Sequence, residues 1–592
     1  MKTKLLSAAI LTLAAQSQAF DLTLIHINDH HSNLEPSTLD IQLDGEATRV
    51  EVGGFPRITN AIAQLRETRP NPVALHAGDA ITGDLYYTLF RGEADAALMN
   101  TVCFDAFALG NHEFDDGDAG LADFLNDLNG GACQTPVLAA NVVPAVGTPL
   151  RPTASNSLIQ PYHIVERSGE RIGIVGIDIK NKTQNSSSPL ESTEFLDETR
   201  TAQRYIDQLT AEGVDKIVLL THYQYQNDLK LAQSLRNVDV IIGGDSHTLL
   251  GDFSDIGLDS AGPYPTRLTN ASGQPVCVAQ AWQYSTVVGE LSVRFDDRGV
   301  VESCDGTPHL LMGNSFLRRD DNGDRKELTG SARLQALAAV QDNANLLQVG
   351  PDAQAQALLE EYKAQVDVMS QEQIGVAQKN LCLERIPGQG YSKLCAAGET
   401  VSRGSDISNI VAKAFREQAR TADIAIQNGG GVRIDIPQGP ITIGDAYRLL
   451  PFSNTIVELE MTGAEIAQVL EDAYAYATSE NGSTGAFPYA SGLRWTLDTT
   501  APQGQRFINL EVRALNENQW RPLPANETFT VVTNDYIAGG KDGYVTFGEI
   551  AESRGYVNTY LDYAQSFVDY VKRQRTLDRL PAGEYSTQRI IK

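Results

Sequence analysis

Six short apolar segments, separated by polar and helix-like stretches, run through the first half of this 592-residue chain. They are LTLIHIN (22–28), PVALHAG (72–78), FDAFALG (104–110), RIGIVGIDI (171–179), KIVLLT (216–221) and VDVIIGG (238–244). Runs of Val, Ile and Leu without regular polar alternation are typical of strands that are buried on both faces. The pattern therefore predicts a layered α/β fold, in which helices cover the sheets.

Five of these segments lead directly into side chains that metal ions bind. The side chains are Asp29, His31, Asp79, Asn111, His222, Asp245 and His247, and His112 and Asp115 follow Asn111. Because the carboxyl ends of strands in α/β sheets meet at one crevice, we expect these residues to converge. Taken singly, each would more often be a solvated loop residue, but their occurrence in series predicts a dinuclear metal site.

The mixture of imidazole and carboxylate determines the chemistry expected at such a site. It suits Zn, Mn, Fe or Co and selects against an all-oxygen calcium cage. We expect two divalent ions, Zn or Mn in the first place, with Co and Mg as alternatives. Two ions bridged by Asp79 would lower the pKa of bound water, provide a nucleophile and clamp phosphoryl oxygens. His112, three residues before Asp115, would steady the transition state or protonate the leaving oxygen.

The charge of the chain limits its partners. It has 75 acidic and 47 basic residues, which give a formal net charge of −28. This balance argues against a nucleic-acid polymer or an anionic membrane surface as partner. To bind a small anionic substrate, the protein would need local positive charge, such as a metal ion or a few arginines.

The first residues, MKTKLLSAAILTLAAQSQAF, have the form of a signal peptide. Lys2 and Lys4 precede an apolar segment, and small residues at 17 and 19 fit a cleavage site, so residues 1–19 are expected to be removed. The apolar segment is too short to span a bilayer, which predicts an exported protein without stable membrane insertion. Six cysteines without CxxC spacing predict disulfides rather than a thiolate metal site. Sequential pairing is the simplest of the 15 possible connectivities.

The chain is too long for one hydrophobic core. Residues 331–371 have helical periodicity and few strand formers, and mixed α/β patterning returns from about residue 374. We therefore expect a first domain at 20–330, a helical linker at 331–371 and a second α/β domain at 372–592.

Motifs in both halves of the chain resemble the 5′-nucleotidase family. HINDHHSNLEP, GGFPRI, HAGDAITGD, ALGNHEFD, THYQ and GGDSHTLLG are similar to its calcineurin-like metallophosphoesterase domain. ADIAIQNGGGVR (422–433), LLPFSNTIVELEMTG (449–463) and NDYIAGGKDGY (534–544) resemble its C-terminal nucleotide-binding domain. The resemblance implies a four-layer β-sandwich flanked by helices in the first domain and a substrate-binding domain in the last.

The resemblance also implies roles for individual residues. One metal ion would bind Asp29, His31, Asp79 and His247, and the second Asp79, Asn111, His222 and Asp245. His112 and Asp115 correspond to the catalytic pair. In the C-terminal domain, Phe452 and Tyr536 would sandwich the base, and Asp542 lies beside them. Arg433 and Arg403 correspond to phosphate-binding arginines. Asn428 lies in the same loop as Arg433. Many members have His in place of Asp245 and Gln or Asn in place of His247, so this chain adds a negative charge.

The resemblance narrows the activity to a few alternatives. The segments LCLERIPGQGYSKLC, SRGSDISNIV and GGDSHTLLG are most similar to exported NAD nucleotidases. We therefore expect a periplasmic hydrolase that cleaves NAD to NMN and AMP and removes the 5′-phosphate, with AMP, NMN, NAD and UDP-sugars as candidate substrates. The alternatives are a general 5′-nucleotidase or UDP-sugar hydrolase, a 2′,3′-cyclic-nucleotide phosphodiesterase, and a non-catalytic nucleotide-binding surface protein. Secretion or surface display is the alternative to the periplasm.

Overall fold

A computed structural model describes residues 19–320, 324–452, 454–479 and 482–592. These residues form two compact units. The first unit comprises the chain up to Ile81 and Gly92–Leu359, and the second comprises Thr82–Arg91 and Glu360–Lys592. The short segment Thr82–Arg91 therefore lies inside the predicted first domain (20–330) but packs with the second unit. The predicted signal peptide, apart from Ala19, lies outside the described residues.

The first unit contains most of the chain's strands. They are β1 (Phe20–Ile27), β2 (Ser37–Leu43), β3 (Glu46–Val52), β4 (Pro72–His76), β5 (Ala106–Ala108), β6 (Val137–Leu138), β7 (Val142–Pro144), β8 (Tyr162–Arg167), β9 (Glu170–Asp178), β10 (Thr193–Phe195), β11 (Lys216–His222), β12 (Val240–Ile242), β13 (Thr266–Thr269), β14 (Pro275–Ala279), β15 (Val287–Phe295), β16 (Val301–Arg319), β17 (Arg325–Glu327) and β18 (Leu346–Gln348).

The helices of the same part of the chain come between these strands. They are α1 (Phe55–Thr68), α2 (Leu85–Phe90), α3 (Glu93–Val102), α4 (Gly117–Gly130), α5 (Lys180–Ser186), α6 (Glu198–Ala211), α7 (Tyr225–Ser234), α8 (Gly330–Asp342) and α9 (Ala353–Met369). Of these, α2 belongs to the second unit, and α9 spans the boundary at Leu359. The segment predicted as a helical linker, 331–371, thus contains α8 and α9, with β18 between them paired to β16.

Two large mixed sheets organise the described part of the first unit. One has the strand order β2-β3-β16-β15-β1-β4-β5-β6, and the other has the order β13-β14-β12-β11-β9-β8. In the first sheet β1, β4, β5 and β6 are parallel to one another. In the second, β9, β11, β12 and β14 are parallel. Each parallel set therefore delivers its carboxyl ends to one edge of its sheet.

The two sheets share a hydrophobic core between them. Leu24 of β1 and Leu220 of β11 are both buried in this core. The alternate residue of β11, Leu219, points the other way and packs with α6 and α7. On the outer side of the other sheet, Val340 of α8 packs with residues of β3 and β16. The expected layering of helix, sheet, sheet and helix is therefore confirmed, and all seven residues of β11 are buried, as predicted for a strand covered on both faces.

The second unit has its own strands and helices. The strands are β19 (Gln373–Ala377), β20 (Ile424–Asn428), β21 (Gly439–Thr442), β22 (Thr455–Thr462), β23 (Pro488–Ser491), β24 (Leu493–Asp498), β25 (Phe507–Val512), β26 (Arg521–Pro522), β27 (Thr528–Asn534), β28 (Val557–Asp562), β29 (Thr576–Leu577) and β30 (Thr587–Ile591). The helices are α10 (Ala397–Thr400), α11 (Asp406–Gln418), α12 (Ile443–Leu449), α13 (Gly463–Thr478), α14 (Asp535–Ala538), α15 (Val545–Arg554) and α16 (Tyr563–Gln574).

A central sheet of order β23-β20-β27-β22-β28 separates two cores of the second unit. Residues of α11 and α16 fill one core, and residues of α13 fill the other. Helix α2 joins the first of these, because Leu85 and Leu89 pack against it and Thr88 donates a hydrogen bond to Gln565. Helix α13 begins at a capping box, in which Thr462 bonds Glu465 N and the Glu465 carboxylate accepts from Thr462 N.

Disulfides pair the cysteines in sequential order, as predicted, and they are Cys103–Cys133, Cys277–Cys304 and Cys382–Cys395. Within the described residues, every helix falls short of the length or the apolar character needed to cross a membrane.

Candidate active site

The residues predicted to bind metal lie together at the carboxyl ends of the parallel strands in the first unit. Asp29 and His31 follow β1, Asp79 follows β4, Asn111 follows β5, His222 ends β11, and Asp245 and His247 follow β12. All are buried except His247, which is half-buried. The loops are short, so each side chain emerges within a few residues of a fixed strand end.

One group of ligand atoms is formed by Asp29, His31 and His247, all within 4.8 Å of one another. His31 Nε2 lies 3.1 Å from His247 Nε2, and His247 Nε2 lies 3.3 Å from Asp29 Oδ1. Asp79 Oδ2 is 3.6 Å from His31 Nε2. These are the four residues expected around one metal ion.

A second group of ligand atoms is formed around His222. Its Nε2 lies 2.9 Å from Asp79 Oδ2 and 3.6 Å from Asp245 Oδ1. Asn111 donates a hydrogen bond from its side-chain NH₂ group to Asp245 Oδ1 at 3.2 Å. Asp29 also approaches this group and, with Asp79 and His222, forms a second set of possible ligands.

Unpartnered polar atoms test whether these residues fit a pair of metal ions. Asp79 Oδ2, His222 Nε2 and Asp245 Oδ2 are among the buried side-chain atoms of the described residues that make no hydrogen bond of regular geometry, and the first two lie 2.9 Å from each other. Such atoms are costly in a folded protein and are usually satisfied by protein, water or an ion. Since all three atoms belong to the predicted ligands, the residues present fit divalent cations.

Hydrogen bonds to the atoms that face away from the site orient the predicted ligands. His222 Nδ1 bonds Ala77 O at 2.8 Å, and His247 Nδ1 bonds Gln283 Oε1 at 2.6 Å. A ring that donates from Nδ1 keeps the lone pair of Nε2 for a metal ion. Asn28 Nδ2 donates to Asp29 Oδ2 at 2.5 Å and thereby positions that carboxylate.

The backbone at the ligands is strained, and glycines make room for them. Five of the predicted ligands, which are Asp29, His31, Asp79, Asp245 and His247, have φ between 47° and 72°. Non-glycine residues seldom adopt this conformation, and it concentrates at functional sites. Gly110 stands before Asn111, and a Cβ atom there would lie 2.3 Å from Asp79 Oδ1 and 2.7 Å from His222 Nε2. Space for the ligand atoms therefore depends on the missing side chain.

Glu113 holds two of the ligand loops together. Its carboxylate accepts from the backbone N–H groups of Asp79 at 3.0 Å, Ala80 at 2.8 Å and Gly110 at 2.6 Å. Burial and the nearby Asp79 carboxylate raise the pKa of Glu113 to about 7. The side chain thus links the loop after β4 to the loop after β5, and both loops carry predicted ligands.

The predicted catalytic pair is also in contact. His112 Nδ1 lies 2.6 Å from Asp115 Oδ2, and the imidazole is buried while the carboxylate is partly exposed. Burial lowers the pKa of His112, but the Asp115 and Asp79 carboxylates outweigh burial and raise the pKa above its ordinary value. Asp115 thus holds the ring at Nδ1, on the side opposite Nε2.

A lysine that was not among the predicted site residues lies in the same site. Lys182, in the first turn of α5 after β9, forms a buried ion pair with Asp245 Oδ1. Burial raises the pKa of Asp245, but Lys182 and His222 outweigh burial and lower it to about 2. The positive charge of Lys182 also acts on His112, where it partly opposes the carboxylates that raise the pKa of the imidazole. Its ammonium group is therefore close to both the predicted ligand and the predicted catalytic histidine.

The second unit holds the residues predicted to bind the nucleotide. Asn428 Nδ2 donates to Asp542 Oδ2 at 3.0 Å, and Tyr536 OH bonds Asp542 Oδ1 at 3.3 Å. The Arg433 guanidinium lies 5.5 Å from the centre of the Phe452 ring and bonds Gly430 O at 3.3 Å. Phe452 and Tyr536 are 44% and 43% exposed. Large aromatic side chains so exposed are available to stack on a planar ligand.

Arg403 has other partners. Its Nε bonds Asp406 Oδ1 at 3.0 Å, and its guanidinium lies over Tyr585. Arg385 is the arginine that approaches the NGGGVR loop, because a Cβ atom on Gly430 would lie 2.9 Å from Arg385 Nη1. Arg385 was not among the predicted binding residues, although it lies in the segment LCLERIPGQGYSKLC.

Comparisons with known proteins match both halves of the chain. The calcineurin-like phosphoesterase family matches residues 22–249, and the 5′-nucleotidase C-terminal domain matches residues 385–549. The NAD 5′-nucleotidase of Haemophilus influenzae is 40% identical over 96% of this chain and 93% of its own length. The chain belongs to the 5′-nucleotidase family.

Solved structures of the 5′-nucleotidase family agree with this assignment. The NAD nucleotidase of H. influenzae superimposes with a TM-score of 0.86 at 38% identity, covering 97% of this chain and all of that one. A 5′-nucleotidase precursor from Thermus thermophilus gives a TM-score of 0.56 at 35% identity over 97% of this chain and 99% of its own. As a member of the 5′-nucleotidase family with a calcineurin-like phosphoesterase domain, the protein is a metal-dependent hydrolase.

Several residues that support the candidate site were missed because they act through contacts with other residues of the protein. Glu113 stands within the quoted motif ALGNHEFD, and Lys182 follows the one predicted strand of the six that delivered no ligand. The lack of a metal-ligand residue after this strand was the only sequence feature that could have drawn attention to Lys182. Gln283 and Arg385 carry no local pattern, because their roles come from contacts made in the fold.

Proposed function

We propose that the protein is an exported, dinuclear-metal nucleotide hydrolase that cleaves NAD to NMN and AMP and removes the 5′-phosphate of nucleoside monophosphates. The observation that carries the metal-dependent part is the convergence of buried carboxylate and imidazole atoms around Asp79 and His222. The NAD part rests on 40% identity over 96% of the chain to a protein named NAD 5′-nucleotidase. The proposal assigns the metal domain to residues 20–330 and the nucleotide-binding domain to residues 372–592.

The ligands would divide between two ions. Asp29, His31, Asp79 and His247 would hold one, and Asp79, Asn111, His222 and Asp245 the other. Two divalent cations, Zn²⁺ or Mn²⁺, would supply a nucleophile from water and neutralise charge on the phosphoryl group.

The chain's own residues would supply the remaining steps. Asp115 fixes the orientation of the His112 ring through Nδ1, so Nε2 can face the reacting phosphoryl group or the leaving oxygen. Lys182 adds a positive charge beside Asp245. In the second unit, Phe452 and Tyr536 would stack on the base, Asp542 and Asn428 would give polar contacts, and Arg433 would meet phosphate. Arg403 keeps the phosphate role implied by the family resemblance as a proposal, although its contacts are with Asp406 and Tyr585.

The test is a substrate panel on protein that has been stripped of metal and reloaded with Zn²⁺ or Mn²⁺. It contains AMP, NMN, NAD, UDP-glucose and a 2′,3′-cyclic nucleotide, each with and without chelator. We expect phosphate from AMP and NMN, and NMN plus AMP from NAD, all abolished by chelator. Release from no nucleotide in the presence of metal would disprove the hydrolase.

A variant pair tests the catalytic assignment. His112→Ala should reduce kcat by about 10²- to 10⁴-fold, as expected for loss of a general acid or base, with much less effect on nucleotide binding. His163→Ala in β8 is the matched control and should behave as wild type. An equal loss of binding and turnover in His112→Ala would contradict its role.

A second candidate function is that of a 5′-nucleotidase without dinucleotide activity. The 35% identity to a protein titled 5′-nucleotidase precursor supports it. The same panel decides, because phosphate from AMP with no cleavage of NAD would favour this alternative. UDP-glucose cleavage would indicate the UDP-sugar hydrolase.

Export is proposed from the N-terminal sequence and is tested separately. We expect mass spectrometry of the protein recovered from the periplasm of a Gram-negative host to find a mature N-terminus at Phe20. Recovery of full-length protein from the cytoplasm alone would contradict the proposal.

A further inference from the structure

The segment between Cys382 and Cys395 is held in place along its length. A disulfide closes it. Glu384 Oε2 accepts from the backbone N–H groups of Gly390 at 3.1 Å and Tyr391 at 3.2 Å. Asp435 Oδ1 accepts from Ser392 Oγ at 2.6 Å. The backbone that carries Tyr391 is therefore fixed from both sides.

The side chain of Tyr391 nevertheless faces solvent. It is 44% exposed, as much as Phe452. The guanidinium of Arg385 lies 4.9 Å from the centre of its ring. A planar aromatic group on a fixed backbone loses little conformational freedom when it binds, which suits a stacking contact.

Two arginines lie between Tyr391 and Phe452. Arg385 is only 6% exposed, and among the described residues its Nε has no hydrogen-bond partner. Arg385 Nη1 and Arg433 Nη1 both approach Gly430. Arg433 in turn lies against the Phe452 ring. The contacts therefore run from Tyr391 through Arg385, Gly430 and Arg433 to Phe452.

The charges of both arginines act on Tyr391. The hydrogen bond from Arg385 lowers the pKa of Tyr391, and the charge of Arg433 lowers it further. Both guanidinium groups thus act on the same phenol, which places both positive charges on the side of the site that carries Tyr391.

A dinucleotide has two flat bases with two anionic phosphates between them, and the second unit has two exposed aromatic rings with two arginines between them. We propose that Tyr391 stacks on the second base of a dinucleotide pyrophosphate, and that Arg385 and Arg433 lie toward its phosphates. A mononucleotide has one base and would leave Tyr391 unused. This inference rests on the proposed nucleotide-binding role of the second unit.

The test compares substrates on the full-length, metal-loaded protein. Tyr391→Ala should lower kcat/KM for NAD by about 10- to 100-fold, which corresponds to the loss of one base–aromatic stack. The loss should appear mainly in KM, and it should exceed the loss for AMP at least about tenfold. Tyr391→Trp, which keeps an aromatic face, should retain NAD activity, and Tyr556→Ala replaces another exposed tyrosine as a control.

Each outcome has a defined meaning. Equal losses for NAD and AMP, or no loss for either, would overturn the subsite. If the wild type hydrolyses AMP but does not cleave NAD, the proposed NAD activity fails. The subsite is then measured as inhibition of AMP hydrolysis by NAD. An inhibition constant that is the same in wild type and Tyr391→Ala would overturn it, and a weaker one in the variant would support it.

Discussion

The ammonium group of Lys182 forms an ion pair with Oδ1 of Asp245, and both side chains are buried. Asp245 stands where many 5′-nucleotidases have a neutral histidine, so the chain carries one more negative charge among its predicted ligands. Lys182 offsets that charge from within the protein. A cation supplied by the chain itself therefore lies beside the atoms that would hold the second metal ion.

Replacing Lys182 by Met should separate metal binding from turnover. We expect the second ion to bind more tightly, because a like charge beside it has been removed. We expect kcat to fall about 100-fold, because a positive charge near the phosphoryl group has been lost. Metal titration by calorimetry and steady-state kinetics measure the two effects. Lys180→Met, on the same helix, is the control, and weaker metal binding with unchanged kcat would show that Lys182 only positions Asp245.

Replacing Asp245 by Asn should remove one ion of the pair. The change keeps the shape of the side chain but removes the negative charge that would attract the cation and that forms the ion pair with Lys182. Elemental analysis after dialysis should find about one ion per chain where the wild type keeps about two. Asp255→Asn, at an exposed position, should keep both. Two ions retained in Asp245→Asn would remove Asp245 from the ligand set.

Adding one carbon at Gly110 should disrupt the site without a change in any ligand. In Gly110→Ala the new Cβ would lie 2.3 Å from Asp79 Oδ1, which is too close for either atom to stay in place. We expect metal affinity to fall at least about 10-fold. Gly130→Ala is the matched control, since no atom lies within 4 Å of its Cβ position. Normal metal binding by Gly110→Ala would show that the loop relaxes.

Acid should weaken one ion-pair cluster of the first unit. Glu290 bonds Arg69 Nε at 2.5 Å and His309 Nε2 at 2.9 Å. Burial raises the pKa of Glu290, but the bonds to His309 and Arg69 outweigh burial and lower it from 4.5 to about 2. The stabilisation is therefore complete above about pH 4.5 and is lost as the pH falls toward about 2.

Glu290→Gln should measure this contribution. At about pH 7 we expect the free energy of unfolding in urea to fall by about 1–3 kcal/mol, the range for hydrogen bonds to a charged group. The difference from wild type should shrink at about pH 3.5. Glu302→Gln, on an exposed ion pair with Arg294, should change stability by less than about 1 kcal/mol. A difference that does not depend on pH would assign the effect to packing.

The strands and the convergence of the candidate metal-binding residues were predictable from the sequence because both are local patterns in series. A strand such as β11 needs only a run of apolar residues, and His222 stands at its end. The parallel order of the sheets then brings the residues after each strand together. The convergence of Asp29, Asp79 and Asp245 thus follows from fold class and position in the chain.

The residues that support the site were not predictable in this way. Glu113 acts through the backbone N–H groups of another loop, and Gln283 reaches His247 across 36 positions of sequence. Arg385 was not predicted, because the conformation of the closed segment 382–395 decides which guanidinium approaches Gly430. Such contacts depend on tertiary packing, for which a single sequence carries no periodic signal.

The assignment of Thr82–Arg91 to the second unit affects how the protein is made. The chain enters that unit early, returns to the first, and supplies Gln565, the partner of Thr88, only near its end. During synthesis, the apolar side chains of Leu85 and Leu89 therefore cannot pack until their core has been translated, hundreds of residues later. A recombinant fragment that begins at Glu360 would lack this helix and leave its place on the core open to solvent. Cutting the gene at the apparent domain border would thus yield two incomplete products, and the full chain is the natural unit for expression and refolding.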